Sequence, residues 1–378
     1  MKMKKNAIFA AAAALALAAC GADETCLGKE TGARLENSAS PAGETLDCGW
    51  NPSVKRRLDE LIERNRGNPD AYAVFDFDYT TAIGDLSYLC MWRLLETLDF
   101  KAGDLGALLK PGMPQRHYAE IDAIAALAAK LKAMRLKGDE TAARPEWRDL
   151  AGRYWALYRA LFQEIGHDEA VKWRVRLFKG FTPDEMRGLA KDAISAALRR
   201  EGLWRDPAAP KEKRGFAIPT EIKQLFRDLL EAGIAVYIVS GSIRETILAA
   251  TGGDFGLDFD PGCVFGSVFK LDADGRYLSE TDDDSVKPWH KPEFIMKHIA
   301  PRHHGAEPVL TAGDSTGDYT MLTEFKDLQL ALVFMRNWRE QTMYDLVASG
   351  GRVVAQGRDE VRGVLIPEQK SIEPEPLR

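Results

Sequence analysis

Three short apolar runs each end in residues able to do chemistry. Ala71 to Phe75 leads into Asp76-Phe77-Asp78-Tyr79-Thr80, and Ile234 to Val239 leads into Ser240-Gly241-Ser242. Pro308 to Ala312 leads into Gly313-Asp314-Ser315-Thr316-Gly317-Asp318. A lysine, Lys291, opens a helical stretch ahead of the third run. Carboxylates serve as nucleophiles and as proton donors or acceptors, while hydroxyls, amides and lysines hold an anion. Taken singly each has a bland reading. D-x-D recurs by chance, a strand ending in Ser-Gly is a loop entry, G-D-x-x-x-D is a helix cap, and Lys291 is a solvated charge. Their common placement, in order, at strand ends and a helix start is what joins them.

The elements that must carry them follow from hydrophobic periodicity. An uninterrupted apolar run reads as a strand buried on both faces, as in a parallel α/β sheet. Open sheets of that kind bind ligands beyond the C-terminal ends of their strands. Thr220 to Glu231 is an amphipathic helix between two such runs, stopped at Ala232-Gly233, and Val54 to Arg64 is helical by the spacing of Leu58, Leu61 and Ile62. From Asp85 to Glu201 the pattern is helical throughout. Thr182, Pro183 and Glu185 mark one helix start as N-cap, first position and capping-box acid. Val264 to Tyr277 reads as a hairpin with Asp274-Gly275 at its turn. The acidic run Asp272 to Asp274 lacks the downstream ligands of a calcium loop.

At this point the sequence resembles the haloacid dehalogenase-like phosphohydrolase superfamily, over roughly residues 55–345. The matching motifs are D-x-D-x-T at Asp76–Thr80, a strand ending in Ser240, the Lys291 helix start and G-D-x-x-x-D at Gly313–Asp318. The resemblance implies a Rossmann-like α/β core with a parallel sheet and an inserted all-helical (type 1) cap, as in phosphoserine phosphatase-like and phosphocholine phosphatase-like members. The implied division is a core of 53–84 and 216–365, a cap of 85–215 and a tail of 366–378.

The resemblance also implies roles. Asp76 attacks phosphorus to give an aspartyl-phosphate, and Asp78 protonates the leaving oxygen and later deprotonates water. Two carboxylates beside a phosphate need a cation, and Mg²⁺, a hard ion, suits Asp76, the Asp78 carbonyl and Asp314. Ser240 and the Gly241 amide hold phosphoryl oxygens, and Lys291 neutralises charge. Asp318 and Thr80 stand behind these, Asp318 orienting Lys291 or a metal-bound water. The second aspartate favours a phosphatase, with a phosphotransferase using the same site as the alternative. A non-catalytic surface lipoprotein would be marked by loss of Asp76 or Asp78, and both are present. Tyr79 departs from the Gly or Asn commoner at its position. Asp85 reads two ways: as the acid that meets a substrate ammonium, or as the N-cap of the helix Leu86–Leu98. Arg174, Arg176 and Lys179 read as a solvated helix face, with recognition of a substrate carboxylate as the alternative.

The rest of the chain bounds the setting. The 378 residues carry 45% apolar and 29% charged side chains, which suits a folded chain with a substantial core. The net charge of −6 lacks the basic footprint of a nucleic-acid binder. Lys2, Lys4 and Lys5 precede the apolar run Ala7–Leu17, the plan of a signal peptide over 1–19 and too short to span a bilayer. Leu17-Ala18-Ala19-Cys20 resembles a bacterial lipobox, so Cys20 is expected to be lipidated and to hold the protein at the membrane of the cell envelope, with simple secretion as the alternative. Residues 20–52 read as a tether that Cys26 and Cys48 could staple. Cys90 and Cys263 read as buried thiols, His303-His304 as surface and most tryptophans as core. The expected partner is a small phosphomonoester.

Overall fold

The computed structural model describes residues 49–336 and 340–377; the leader, Cys20, Cys26 and Cys48 lie outside them. Helix α1 (Pro52–Asn65) opens the fold, capped by the Asn51 side chain on Ser53 N, and buries Val54, Leu58, Leu61 and Ile62. Strand β1 (Tyr72–Phe75) follows, buried at all four positions, and leads into the aspartate loop.

The chain then leaves the core for a run of helices: α2 (Leu86–Thr97), α3 (Leu105–Leu109), α4 (Tyr118–Ala133), α5 (Gly138–Ala142), α6 (Pro145–Glu164), α7 (His167–Val175) and α8 (Pro183–Ala197). Their apolar faces enclose Trp92, Trp147, Tyr154, Trp155 and Trp173. The capping box at Thr182 and Glu185 forms as the sequence suggests. A hairpin of β2 (Leu203–Asp206) and β3 (Ala209–Gly215) returns the chain to the core, although the reading over 85–215 was helical. Lys211, Lys213 and Arg214 give it no clear apolar alternation, and its position is set by pairing: Leu203 N donates to Glu360 O at 2.6 Å.

The core resumes with α9 (Thr220–Glu231), β4 (Ala235–Ile243), α10 (Arg244–Thr251), β5 (Val264–Ser267) and a hairpin of β6 (Phe269–Leu271) and β7 (Tyr277–Thr281). Here the expected single hairpin over 264–277 is corrected, because β5 joins the main sheet parallel to β4 and only β6 and β7 pair with each other. Then come α11 (Lys291–His298), β8 (Leu310–Gly313), α12 (Tyr319–Thr323), β9 (Leu330–Phe334), α13 (Gln341–Ala348), β10 (Val353–Asp359) and β11 (Val364–Ile366). Among the described residues the main sheet has the order β11-β10-β9-β8-β1-β4-β5. Every pairing in it is parallel except β10 with β11. Parallel strands need crossovers, and here helices supply them on both faces. This is a Rossmann-like sheet with a helical insert.

Three other expectations change. His303 is buried: it stacks on Tyr72 at 4.5 Å, and its Nε2 lies 2.8 Å from the Tyr237 hydroxyl. Cys263 is disulfide-bonded, leaving Cys90 as the free cysteine among the described residues. The segment after Ile366 packs beside the end of β10 and parallel to it at Asp359 and Ile372, with Ile372 N on Arg358 O at 2.7 Å and Ser371 buried.

Candidate active site

Parallel register brings the three polar strand ends together. Phe75 is level with Ile238 on β4 and with Ala312 on β8, so Asp76, Ser240 and Asp314 leave neighbouring strands at the same end of the sheet. Asp76 N donates to Ala312 O at 2.9 Å, and Thr81 Oγ1 donates to Asp76 O at 2.7 Å. The loop then turns sharply, with Tyr79 in the left-handed region at φ 54.

Lys291, at the start of α11, is almost fully buried between two carboxylates. Its Nζ donates to Asp76 Oδ1 and to Asp318 Oδ1, both at 2.6 Å. The second oxygen of Asp318 accepts from the backbone amides of Asp314 at 3.0 Å and Ser315 at 3.3 Å. Asp318 is therefore saturated by protein donors, which suits an orienting role. Gly313 is required beside it, since a Cβ there would lie 2.5 Å from the Asp318 Cβ.

Asp78 is held at both oxygens. Leu86 N, at the start of α2, donates to Oδ1 at 3.0 Å, and Ser242 Oγ donates to Oδ2. Ser242 also lies 3.4 Å from Ser87 Oγ of α2. Ser240 is buried with its Oγ accepting from Ser242 N at 3.3 Å, and Gly241 is exposed; β4 does not end at Ser240 as expected but continues to Ile243 through a shift in its register with β5. Thr80 is buried with an unpartnered Oγ1, so the hydroxyl that supports the loop is that of Thr81. Asp85 caps α2 through Tyr88 N on its Oδ1 at 2.8 Å.

Arg174 is not on a solvated face. It is buried, with its guanidinium 4.5 Å from the Tyr88 ring centre and 5.6 Å from that of Tyr158. Arg176 donates to Pro111 O, and Lys179 is exposed. Two further site residues escaped the sequence reading. Ser242 was visible two positions after Ser240. Arg336, which donates to Asp314 Oδ2 at 2.8 Å, lies just past the end of β9, a fourth strand, and its polar position at that strand end is the local signal for it.

Burial pushes Asp76 up to about 7, with Asp318 and Asp314 adding to it and Lys291 opposing. Burial likewise carries Asp314 up to about 6 against the pull of Arg336. Asp78 is raised well above its ordinary value by burial and by Asp85, opposed by the bonds from Ser242 and Leu86. Burial lowers Lys291, but Asp318 and Asp76 outweigh it and keep the ammonium charged.

One carboxylate oxygen each from Asp76, Asp314 and Asp318 lie within 4.8 Å of one another, all three residues buried. The buried, all-oxygen donor set suits a hard divalent ion such as Mg²⁺. The residues fit that cation.

Comparison with known proteins agrees with this architecture. The family profile of haloacid dehalogenase-like hydrolases matches residues 138–323, a stretch that begins within the helical insert and ends after Asp318. Asp76 and Asp78 lie ahead of it. The chain is 26% identical over 332 residues to a phosphorylcholine phosphatase of Pseudomonas aeruginosa, covering 80% of this chain and 79% of that one. A crystal structure of a conserved protein of unknown function from Anaerococcus prevotii superposes with a TM-score of 0.74 at 23% identity, covering 88% of this chain and 99% of that one. Over residues 138–323 the chain is similar to haloacid dehalogenase-like hydrolases, within the Rossmann-like fold described above.

Proposed function

We propose that the protein hydrolyses a small phosphate monoester through an aspartyl-phosphate, with Mg²⁺ as its cation. The observation that carries this reading is the second aspartate. Asp78 sits beside Asp76 with both oxygens oriented, and burial, with Asp85 adding to it, raises its carboxyl well above the usual carboxylate range. A protonated carboxyl in that place can give its proton to a leaving oxygen.

Lys291 holds Oδ1 of Asp76, and Oδ2 has no protein donor among the described residues. Oδ2 attacks phosphorus, the P–O bond to the leaving group breaks, and that oxygen takes the proton of Asp78. Asp78, now a carboxylate, removes a proton from water as the water oxygen attacks the same phosphorus. The acyl-phosphate bond breaks, returning Asp76 and releasing inorganic phosphate. Ser240 Oγ and the Gly241 amide would donate to phosphoryl oxygens, and Lys291 would balance charge as it builds. Bound Mg²⁺ supplies charge neutralisation between the carboxylates and the phosphate. Asp76, Asp314 and the Asp78 carbonyl would hold it.

Phosphocholine and phosphoserine are the first substrates to test, the former because of the named relative. Phosphate release from a panel of monoesters, with the folded Asp76→Asn protein as control, checks the reading. Asp76→Asn should lose activity by about 10⁶, the scale seen when a nucleophile is removed. A folded Asp76→Asn protein releasing phosphate near the wild-type rate would rule out the aspartyl-phosphate route.

We also propose export and lipid anchoring at Cys20, on the strength of the cationic, apolar and small-residue order of residues 1–20. Among the described residues no helix is long and apolar enough to cross a membrane.

A further inference from the structure

Tyr79 is the unusual residue of the aspartate loop. A bulky side chain at φ 54 is strained, and such a conformation persists only where its surroundings enforce it. Its carbonyl accepts from the buried Arg358 on β10. Its ring is buried and carries the guanidinium of Arg336, whose central carbon lies 3.6 Å from the ring centre. A planar guanidinium at that distance lies against the aromatic face, an arrangement an ammonium cannot reproduce. The same guanidinium donates through Nη1 to Asp314 Oδ2 at 2.8 Å. The chain of contacts thus runs from a strained loop residue, through a stacked arginine, to one of the three clustered carboxylates.

We propose that Tyr79 and Arg336 are a positioning pair for Asp314: the ring is the platform on which the guanidinium lies, and the guanidinium fixes one carboxylate oxygen so that the other is presented to the divalent cation. The inference rests on the reading that Asp314 helps hold that cation, and adds to it the residues that set how well it does so. It gives Tyr79 a purpose the aspartates do not supply. Neither residue touches the reacting atoms. Partners that orient a metal-binding side chain typically set affinity by about ten- to a hundredfold. The strain at Tyr79 is then the cost of putting a ring, where glycine would be relaxed, under Arg336.

Calorimetric titration of the chelator-treated full chain with Mg²⁺ tests this without any turnover. Asp314→Asn serves as the control for the underlying reading. Tyr79→Gly, which relieves the left-handed strain, and Arg336→Lys, which keeps the charge but loses the plane, should each weaken Mg²⁺ binding by about ten- to a hundredfold. Tyr79→Phe keeps the platform and should bind as the wild type does. Wild-type affinity in both Tyr79→Gly and Arg336→Lys would overturn the pair while leaving the cation site standing. Tighter binding in either would also overturn it, showing Arg336 to be a competing cation. If Tyr79→Gly does not fold, Arg336→Lys decides alone. A wild-type chain that takes up no Mg²⁺, or an Asp314→Asn chain that binds it equally well, would remove both the pair and the reading beneath it.

Discussion

A single carboxylate can hold a helix and choose a substrate, and Asp85 separates the two roles. Its Oδ1 accepts from Tyr88 N at 2.8 Å, so the capping role is realised. Alanine at an N-cap costs about 1 kcal/mol, while asparagine caps as well as aspartate. Asp85→Asn should therefore leave thermal stability unchanged. If Asp85 also meets an ammonium, that variant should lose about ten- to a hundredfold in kcat/KM for phosphoserine or phosphocholine, the worth of one charge-assisted contact of about 1.5–3 kcal/mol. Glycerol phosphate, a neutral ester at that end, should be turned over as before. An equal fall for both substrate types would leave Asp85 a cap alone. Buried Arg174, stacked on Tyr88 and interacting electrostatically with Asp85, is a fixed cation with which a substrate ammonium would have to compete for that carboxylate.

The β6–β7 hairpin belongs to the core by sequence order but bonds to the helical insert. Tyr277 N donates to Phe181 O at 2.8 Å, and Gly180 N donates to Tyr277 O at 2.9 Å. Arg276 adds bonds to Gly180 O at 2.8 Å and to Glu185 at 3.2 Å. On the same side Arg187 of α8 pairs with Glu245 of α10. These contacts tie the insert to the core at points away from the segments that connect the two in sequence. Arg276 and Glu185 are both partly exposed, so their ion pair is worth no more than about 1 kcal/mol. Arg276→Ala should accordingly speed amide exchange at Gly180, Phe181 and Tyr277 by about fivefold. Exchange unchanged at those amides would show that the backbone pair holds without the arginine.

For the molecule as a whole, the clustered carboxylates make stability depend on pH and metal together. Asp76 and Asp314 are carried up to about 7 and about 6 in the fold, against an ordinary value of 3.8. The folded state thus binds protons more tightly than the unfolded chain, so stability from these groups falls as pH rises through that range and stays low above it. A divalent cation competes with the protons and replaces them. Added Mg²⁺ should raise the melting temperature more at pH 8 than at pH 5, with a stabilisation of about 2.7 kcal/mol at a hundredfold excess over Kd. Equal shifts at both pH values would mean that Mg²⁺ binds elsewhere. Membrane attachment is tested at the same scale. Several acyl chains hold a protein durably where one does not. Cys20→Ser should move the protein into soluble fractions, and a native protein already soluble after loss of residues 1–19 would argue for simple secretion.

Chain-local patterns were enough for the parallel sheet, the helical insert and the polar strand ends. Apolar runs such as Ala71–Phe75 and Ile234–Val239 announce buried strands, and residues just past a strand end inherit its position. That is why Asp76, Asp78, Ser240, Asp314 and Asp318 could be read as a group, with Lys291 joined to them by the family resemblance, and why Thr182 and Glu185 could be read as a cap. Contacts that pair residues far apart in sequence leave no such local trace. Only the folded chain decides that Arg336 reaches Asp314, that Ser242 holds Asp78, and that Thr81 rather than Thr80 supports the loop. The same holds for β5, which reads locally as half of a hairpin but lies beside β4 because the sheet edge is open there. His303 and Arg174 are buried against expectation for a related reason. A polar side chain is exposed by default, and what buries these two is a set of aromatic rings from distant segments, Tyr72 and Tyr237 for one, Tyr88 and Tyr158 for the other. Periodicity reports which face of an element is apolar, while the partner that closes over a polar group is chosen only when the elements pack.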